Sequence, residues 1–201
     1  MSTEPTISRS NRISMYSYAG IGAIAAVAVA AQTITRLVAV APGHDLDVTV
    51  PLRQNAQLPL GPHGAPVEAL VQQTVVTVAN PTPATLFALW AQPIVVGASL
   101  IAGILLAALF CMRMARGHAF KKGTALFAYL GAIVLGAGWT LSALFGQISA
   151  NGAISAISDH SYDIELFETN WMVAFGALAL GAVGVALQVG ERLHRDTEGL
   201  V

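Results

Sequence analysis

The sequence predicts an all-α membrane protein: a four-transmembrane-helix bundle, N-in and C-in, with a small β-like cap on the extracytoplasmic side. Three observations predict it. The chain of 201 residues is 55% hydrophobic and only 10% charged, where an ordinary soluble domain carries about a quarter charged residues. The apolar residues gather into four runs, 13–40, 85–112, 124–148 and 171–189, and about 20 residues suffice for a helix to cross the roughly 30 Å hydrocarbon layer. The scarce basic residues cluster beside these runs rather than being spread over a surface.

Residues 1–12 form a short tail in which Arg9 and Arg12 precede the first span. The stretch AVAVAAQ (26–32) has the look of a signal-peptidase site. The apolar core 16–31 is longer than a usual signal core of about 7–15 residues, and apolar residues resume after Gln32. An uncleaved first span, 13–40, is therefore expected. Its one embedded charge, Arg36, is an intramembrane ionisable residue and a functional candidate on that ground. It stands close to Pro42, so it is expected to snorkel to the outer interface or to pair with a loop acid.

The connector 41–84 is long and rich in proline. Within it LDVTVPLR places Leu46, Val48, Val50 and Leu52 on one face, and TVVTVA (74–79) is rich in β-branched residues. GPHGAP between them supplies a turn. These predict a cap of two or three strands. Because an isolated hairpin is marginal in water, the cap has to lean on helix ends or on a partner.

The second span, 85–112, carries Gln92 and Pro93. Pro93 removes a backbone hydrogen bond and is expected to kink the helix. The connector 113–123 then packs Arg113, Arg116, Lys121 and Lys122 into a few residues. Basic residues flanking spans stay cytoplasmic. With this connector inside, Arg9, Arg12, Arg113, Arg116, Lys121, Lys122, Arg192 and Arg195 are all cytoplasmic, eight of the ten Lys and Arg. Seven of the eleven acids (Asp45, Asp47, Glu68, Asp159, Asp163, Glu165 and Glu168) are then outside. Within the connector, Gly117 and Phe120 do nothing for topology. Gly117 can take the positive φ that ends a helix, and Phe120 can fold back to set where the third helix begins.

The third span covers 124–148, an acidic extracytoplasmic loop 149–170, the fourth span 171–189 and a cytoplasmic tail 190–201. The spans are rich in small residues: AGIGAIAA (19–26), Ser99 and Gly103, Gly131, Gly136 and Gly138, Ala177 and Gly181. Spacing near four places small residues on one helix face and lets backbones approach closely. This predicts tight packing inside one bundle; a homodimer or another membrane protein is the alternative partner for such faces. Trp90 and Trp171 fall at outer span edges, as interface anchors do.

Most chemistry finds no residues to stand on. No GxSxG, Walker A or HExxH pattern occurs. The five histidines lack ligand spacing, and scattered solvated histidines are expected, although His44 with Asp45, His63 and Asp159 with His160 share one side and a metal site there stays open. The single Cys111 excludes an internal disulfide. No basic face long enough to track nucleic acid is present. No catalytic residue, cofactor or metal ligand is assigned, and the lipid bilayer is the expected partner.

The connector and third span, RGHAFKKGTALFAYLGAIVL (116–135), and the terminal ERLHRDTEGLV (191–201) resemble a family of small four-span, actinobacterial-type membrane proteins of unknown function. The alternating LDVTVPL after the first span fits the same pattern, so the resemblance covers most of the chain. Here Lys121 and Lys122 follow Phe120 where a helix-capping Ser, Thr or Asn would be expected, and Thr124 is the nearest candidate. The resemblance carries no catalytic residue. Because members often lie beside small helix-turn-helix regulators, it implies a signalling role. Three functions compete: a non-enzymatic sensory or regulatory membrane protein, an accessory subunit of a larger membrane assembly such as a respiratory complex, and a transporter. The third is least supported, because the spans offer almost no polar lining.

Overall fold

The computed structural model of the chain describes residues 9–116, 123–158 and 171–198. In chain order these form α1 (Arg9–Val40), β1 (Leu46–Leu58), β2 (Val67–Val78), α2 (Pro83–Ala115), α3 (Thr124–Ser158) and α4 (Trp171–Glu198). Four segments, Tyr16–Val40, Pro83–Ala115, Thr124–Ser158 and Trp171–Leu193, are long and apolar enough to cross a membrane. The chain divides into two compact units. One draws on Met1–Thr35, Ile94–Ser142 and Asn170–Val201, the other on Arg36–Pro93 and Ala143–Thr169.

In the second unit, α1 ends through Gly43, whose N–H donates to the Val40 carbonyl (3.1 Å) and whose φ of +73° suits a residue without Cβ. Asp45, also left-handed at φ +52°, donates its N–H to the Ala79 carbonyl (3.2 Å) and so closes the base of the hairpin. Strands β1 and β2 pair antiparallel from Leu46↔Val78 to Leu58↔Val67. The register shifts between Pro51 and Gln54, where Pro51 has no N–H to offer the ladder. The tip turns through Pro62–Gly64, with the Gly61 N–H donating to the Ala65 carbonyl (2.9 Å).

The expected alternation appears at the base of β1: Leu46, Val48 and Val50 are buried while Asp47 and Thr49 are exposed. The side chain of Leu52, assigned to the same face from the sequence, lies outside the described residues. On the exposed face Thr77 Oγ1 donates to Asp47 Oδ1 (2.6 Å) and Asn55 Nδ2 to Glu68 Oε1 (3.0 Å).

The hairpin leans on helices. Val48, Val50 and Val78 form a core with Ala153 of α3, flanked by Val76, Leu89 of α2 and Ile154 of α3. This corrects the sequence reading of 149–170 as a loop: α3 runs on to Ser158. The reason is visible in SANGAISAIS. Ala150 and Ala153 are buried and Ile154 stands one residue further on the same side, so the segment is helical by packing although too polar to read as a span. The apolar runs also end short of α1, α2 and α4, because charged and polar helix formers such as Arg, Glu and Gln extend a helix without adding hydropathy.

Capping explains the start of α2. Thr82 Oγ1 accepts from the Thr85 N–H (3.3 Å), Pro83 occupies the first helical position, and the Leu86 N–H donates to the Thr82 carbonyl (2.9 Å). Thr85, only 1% exposed, fills the space that a Cβ on Gly152 would need, and the Gln92 amide lies 3.0 Å from the corresponding point on Gly146. Thr85 and Gln92 stand seven residues apart, each opposite a glycine of α3, and close contacts at that spacing are the geometry of two helices crossing at a shallow angle. Phe87 and Phe145 meet edge to face with ring centroids 5.8 Å apart. α2 continues through Pro93 as a single helix.

The first unit repeats the small-residue device. Thr33 of α1 packs onto Gly97 of α2, and Ser99 of α2 onto Gly138 of α3. Leu180 of α4 presses on Gly131, and the Tyr129 ring lies 3.2 Å from the Cβ position of Gly184. Among the described residues every buried side-chain polar atom has a hydrogen-bond partner. Large apolar side chains, by contrast, stay exposed along all four helices; Ile24 (73%), Phe87, Leu105, Ile133 and Leu178 (69%) are examples.

Candidate functional site

Residues 113–116 of the basic connector lie at the C-terminal end of α2. Leu109, Met112, Arg113 and Arg116 follow the i, i+3, i+4, i+7 spacing of one helix face. With Phe127 of α3 they line an open cleft of about 420 Å³. The guanidinium of Arg113 lies over the Phe127 ring, 5.4 Å from its centroid, a distance at which the ring face attracts a cation. Arg113 also sits in the last turn of α2, where positive charge complements the helix dipole. Arg116 is exposed, and its N–H is shared between the Met112 and Arg113 carbonyls (3.2 Å each).

The helix that contributes Phe127, α3, begins after Gly123, with φ +91°, at Thr124, which is fully buried. A residue from another helix caps this end: Glu191 of α4 accepts from the Ala125 N–H through Oε1 (3.1 Å). One turn on, the Tyr129 hydroxyl donates to Gln188 Oε1 (3.0 Å). A carboxylate at the positive end of α3 is electrostatically favoured.

The sequence candidates separate. Arg113 and Arg116 come together in the cleft. Arg36 stands exposed in the last turns of α1, and Pro93 lies inside α2. Gly117, Phe120, Lys121 and Lys122 lie outside the described residues, as do His118, His160, Asp159, Asp163, Glu165 and Glu168. His44 Nδ1 approaches Asp45 Oδ2 (3.4 Å) at the surface, and among the described residues no three His, Cys, Asp or Glu side chains gather as metal ligands.

Sequence reasoning missed Leu109, Met112, Phe127, Glu191 and Gln188. The helical spacing of 109, 112, 113 and 116 was a usable signal; the 66-residue separation of Ala125 and Glu191 left none. Among the described residues the cleft's lining contains no nucleophile and no group that shuttles protons near neutral pH. Its described lining offers two arginines, the residue type suited to anions, beside Leu109, Met112 and Phe127. Comparison with protein-family models, with curated proteins and with solved structures yields no match to this chain.

Proposed function

We propose that the protein is a multi-pass plasma-membrane protein with both termini cytoplasmic and a sensory or regulatory, non-enzymatic role. In this reading the hairpin is the extracytoplasmic input, and the basic connector with the tail 190–201 is the output. The observation that carries it is the exposure of large apolar side chains along four helices of membrane-spanning length, which water would penalise and hydrocarbon accepts. Orientation rests on the eight basic residues assigned to one side. Kinship with the small four-span family belongs to the same proposal and rests on the connector and tail motifs.

Reporter fusions after Ala56 and after Val201 test it. Activity of an extracytoplasmic reporter at Ala56 and of a cytoplasmic reporter at Val201 is expected; an active extracytoplasmic reporter at Val201 would sink the four-span topology. A second reading, an accessory subunit of a larger membrane assembly, draws on α4, where Met172 (80% exposed), Phe175 and Leu178 present an apolar side. Mild solubilisation and identification of a stoichiometric co-purifying protein would favour that reading over the first.

A further inference from the structure

We infer that the cleft lined by Leu109, Met112, Arg113, Arg116 and Phe127 is a binding site for the phosphate of one anionic phospholipid. The inference deepens the membrane reading and rests on it. Three observations converge. Arg113 and Arg116 at the end of α2 both line one opening, and a guanidinium matches a phosphate oxygen pair in geometry and charge. The cleft's volume, about 420 Å³, lies in the range of small-ligand sites, roughly 300–1,000 Å³.

The polarity of the lining also changes in one direction. Arg113 and Arg116 stand at the helix terminus, and Leu109 lies about 6 Å deeper along the axis at 1.5 Å per residue. Leu109 and Leu105, four residues apart on α2, both remain exposed, so an acyl chain leaving the cleft would run over them. A soluble anion would use the arginines and leave that apolar track uncovered; an amphiphile uses both. The Arg113 guanidinium lies over the Phe127 ring that lines the same cleft.

The test uses the full chain in dodecyl maltoside, titrated with dioleoyl phosphatidylglycerol, dioleoyl phosphatidylcholine or glycerol 3-phosphate and read by native mass spectrometry. One phosphatidylglycerol per chain is expected, bound at least tenfold more tightly than phosphatidylcholine, with no comparable binding of glycerol 3-phosphate. Arg113→Gln with Arg116→Gln should lose that preference. Arg116→Gln alone, at an exposed turn position, should weaken it severalfold without lowering the melting temperature. Arg9→Gln with Arg12→Gln removes the same charge elsewhere and should leave it intact. Equal binding of both lipids, equal loss in the Arg9/Arg12 control, or glycerol 3-phosphate binding as tight as the lipid would each overturn the inference. Failure of the membrane reading shows separately, as release of the parent protein from membranes by alkaline carbonate without detergent.

Discussion

The Glu191 carboxylate of α4 accepts a hydrogen bond from the backbone N–H of Ala125, 3.1 Å away at the first turn of α3. One of the four orphan donors of that helix end is thus satisfied from 66 residues further along the chain. Glu191→Ala should cost about 1–2 kcal/mol, the usual magnitude for a lost N-terminal cap, while Glu191→Gln keeps an acceptor oxygen and should cost less. Thermal unfolding in detergent measures both. Equal stability of Glu191→Ala and the parent would show that water replaces the carboxylate without loss.

Thr85 and Gly152 predict a coupled pair. Gly152→Ala gains up to about 1 kcal/mol of helix propensity, but the new Cβ meets the Thr85 side chain, and overpacking of this kind costs about 1–3 kcal/mol. Net destabilisation is expected, and most of it should vanish in a Thr85→Ala background. A double-mutant cycle in one detergent tests this; additive effects would mean that the helices shift apart freely.

Val50 and Thr49 are neighbours with opposite fates, one 1% exposed and the other on the outer face. Val50→Asp should release the hairpin from α3, because an unpaired buried carboxylate costs several kcal/mol. Thr49→Asp should be nearly neutral. The readout is limited proteolysis of purified protein, with cleavage between Leu46 and Val78 expected in Val50→Asp alone.

Arg36 is exposed in the last turns of α1, which fits an interface anchor. Arg36→Lys should keep stability and reporter topology unchanged, and Arg36→Leu should alter the labelling of cysteines placed at 38–42. Loss of stability in well-inserted Arg36→Lys protein would point instead to bidentate recognition by the guanidinium.

The helices and the alternating face of β1 were legible because period and hydropathy are local properties. The burial of Leu46, Val48 and Val50 followed from alternation alone. The extent of α3 was not legible, since Ser149, Asn151 and Ser158 lower hydropathy while their side chains are satisfied within the helix: Ser149 Oγ donates to the Gly146 carbonyl, and the Gln147 amide donates to Asn151 Oδ1. Two of the cleft's five described residues were legible, the arginines. Phe127 was not, because which face of α3 turns toward α2 is decided by packing at glycines such as Gly138. Hydropathy does not distinguish one apolar face from another.

The burial of Val48, Val50 and Val78 on Ala153 and Ile154 also sets an order in time. Both strands are synthesised before α2 and before all of α3. At about 5–20 residues per second, roughly 4–15 s separate completion of β2 from synthesis of the residues that form its floor. During that interval β1 and β2 lack their floor and the row of valines stays uncovered, the composition that invites pairing with other chains. Covering residues 46–78 during that interval would keep this valine row from pairing with other chains. Slowing elongation between codons 79 and 153 should lower the yield of folded protein more than slowing it after codon 160.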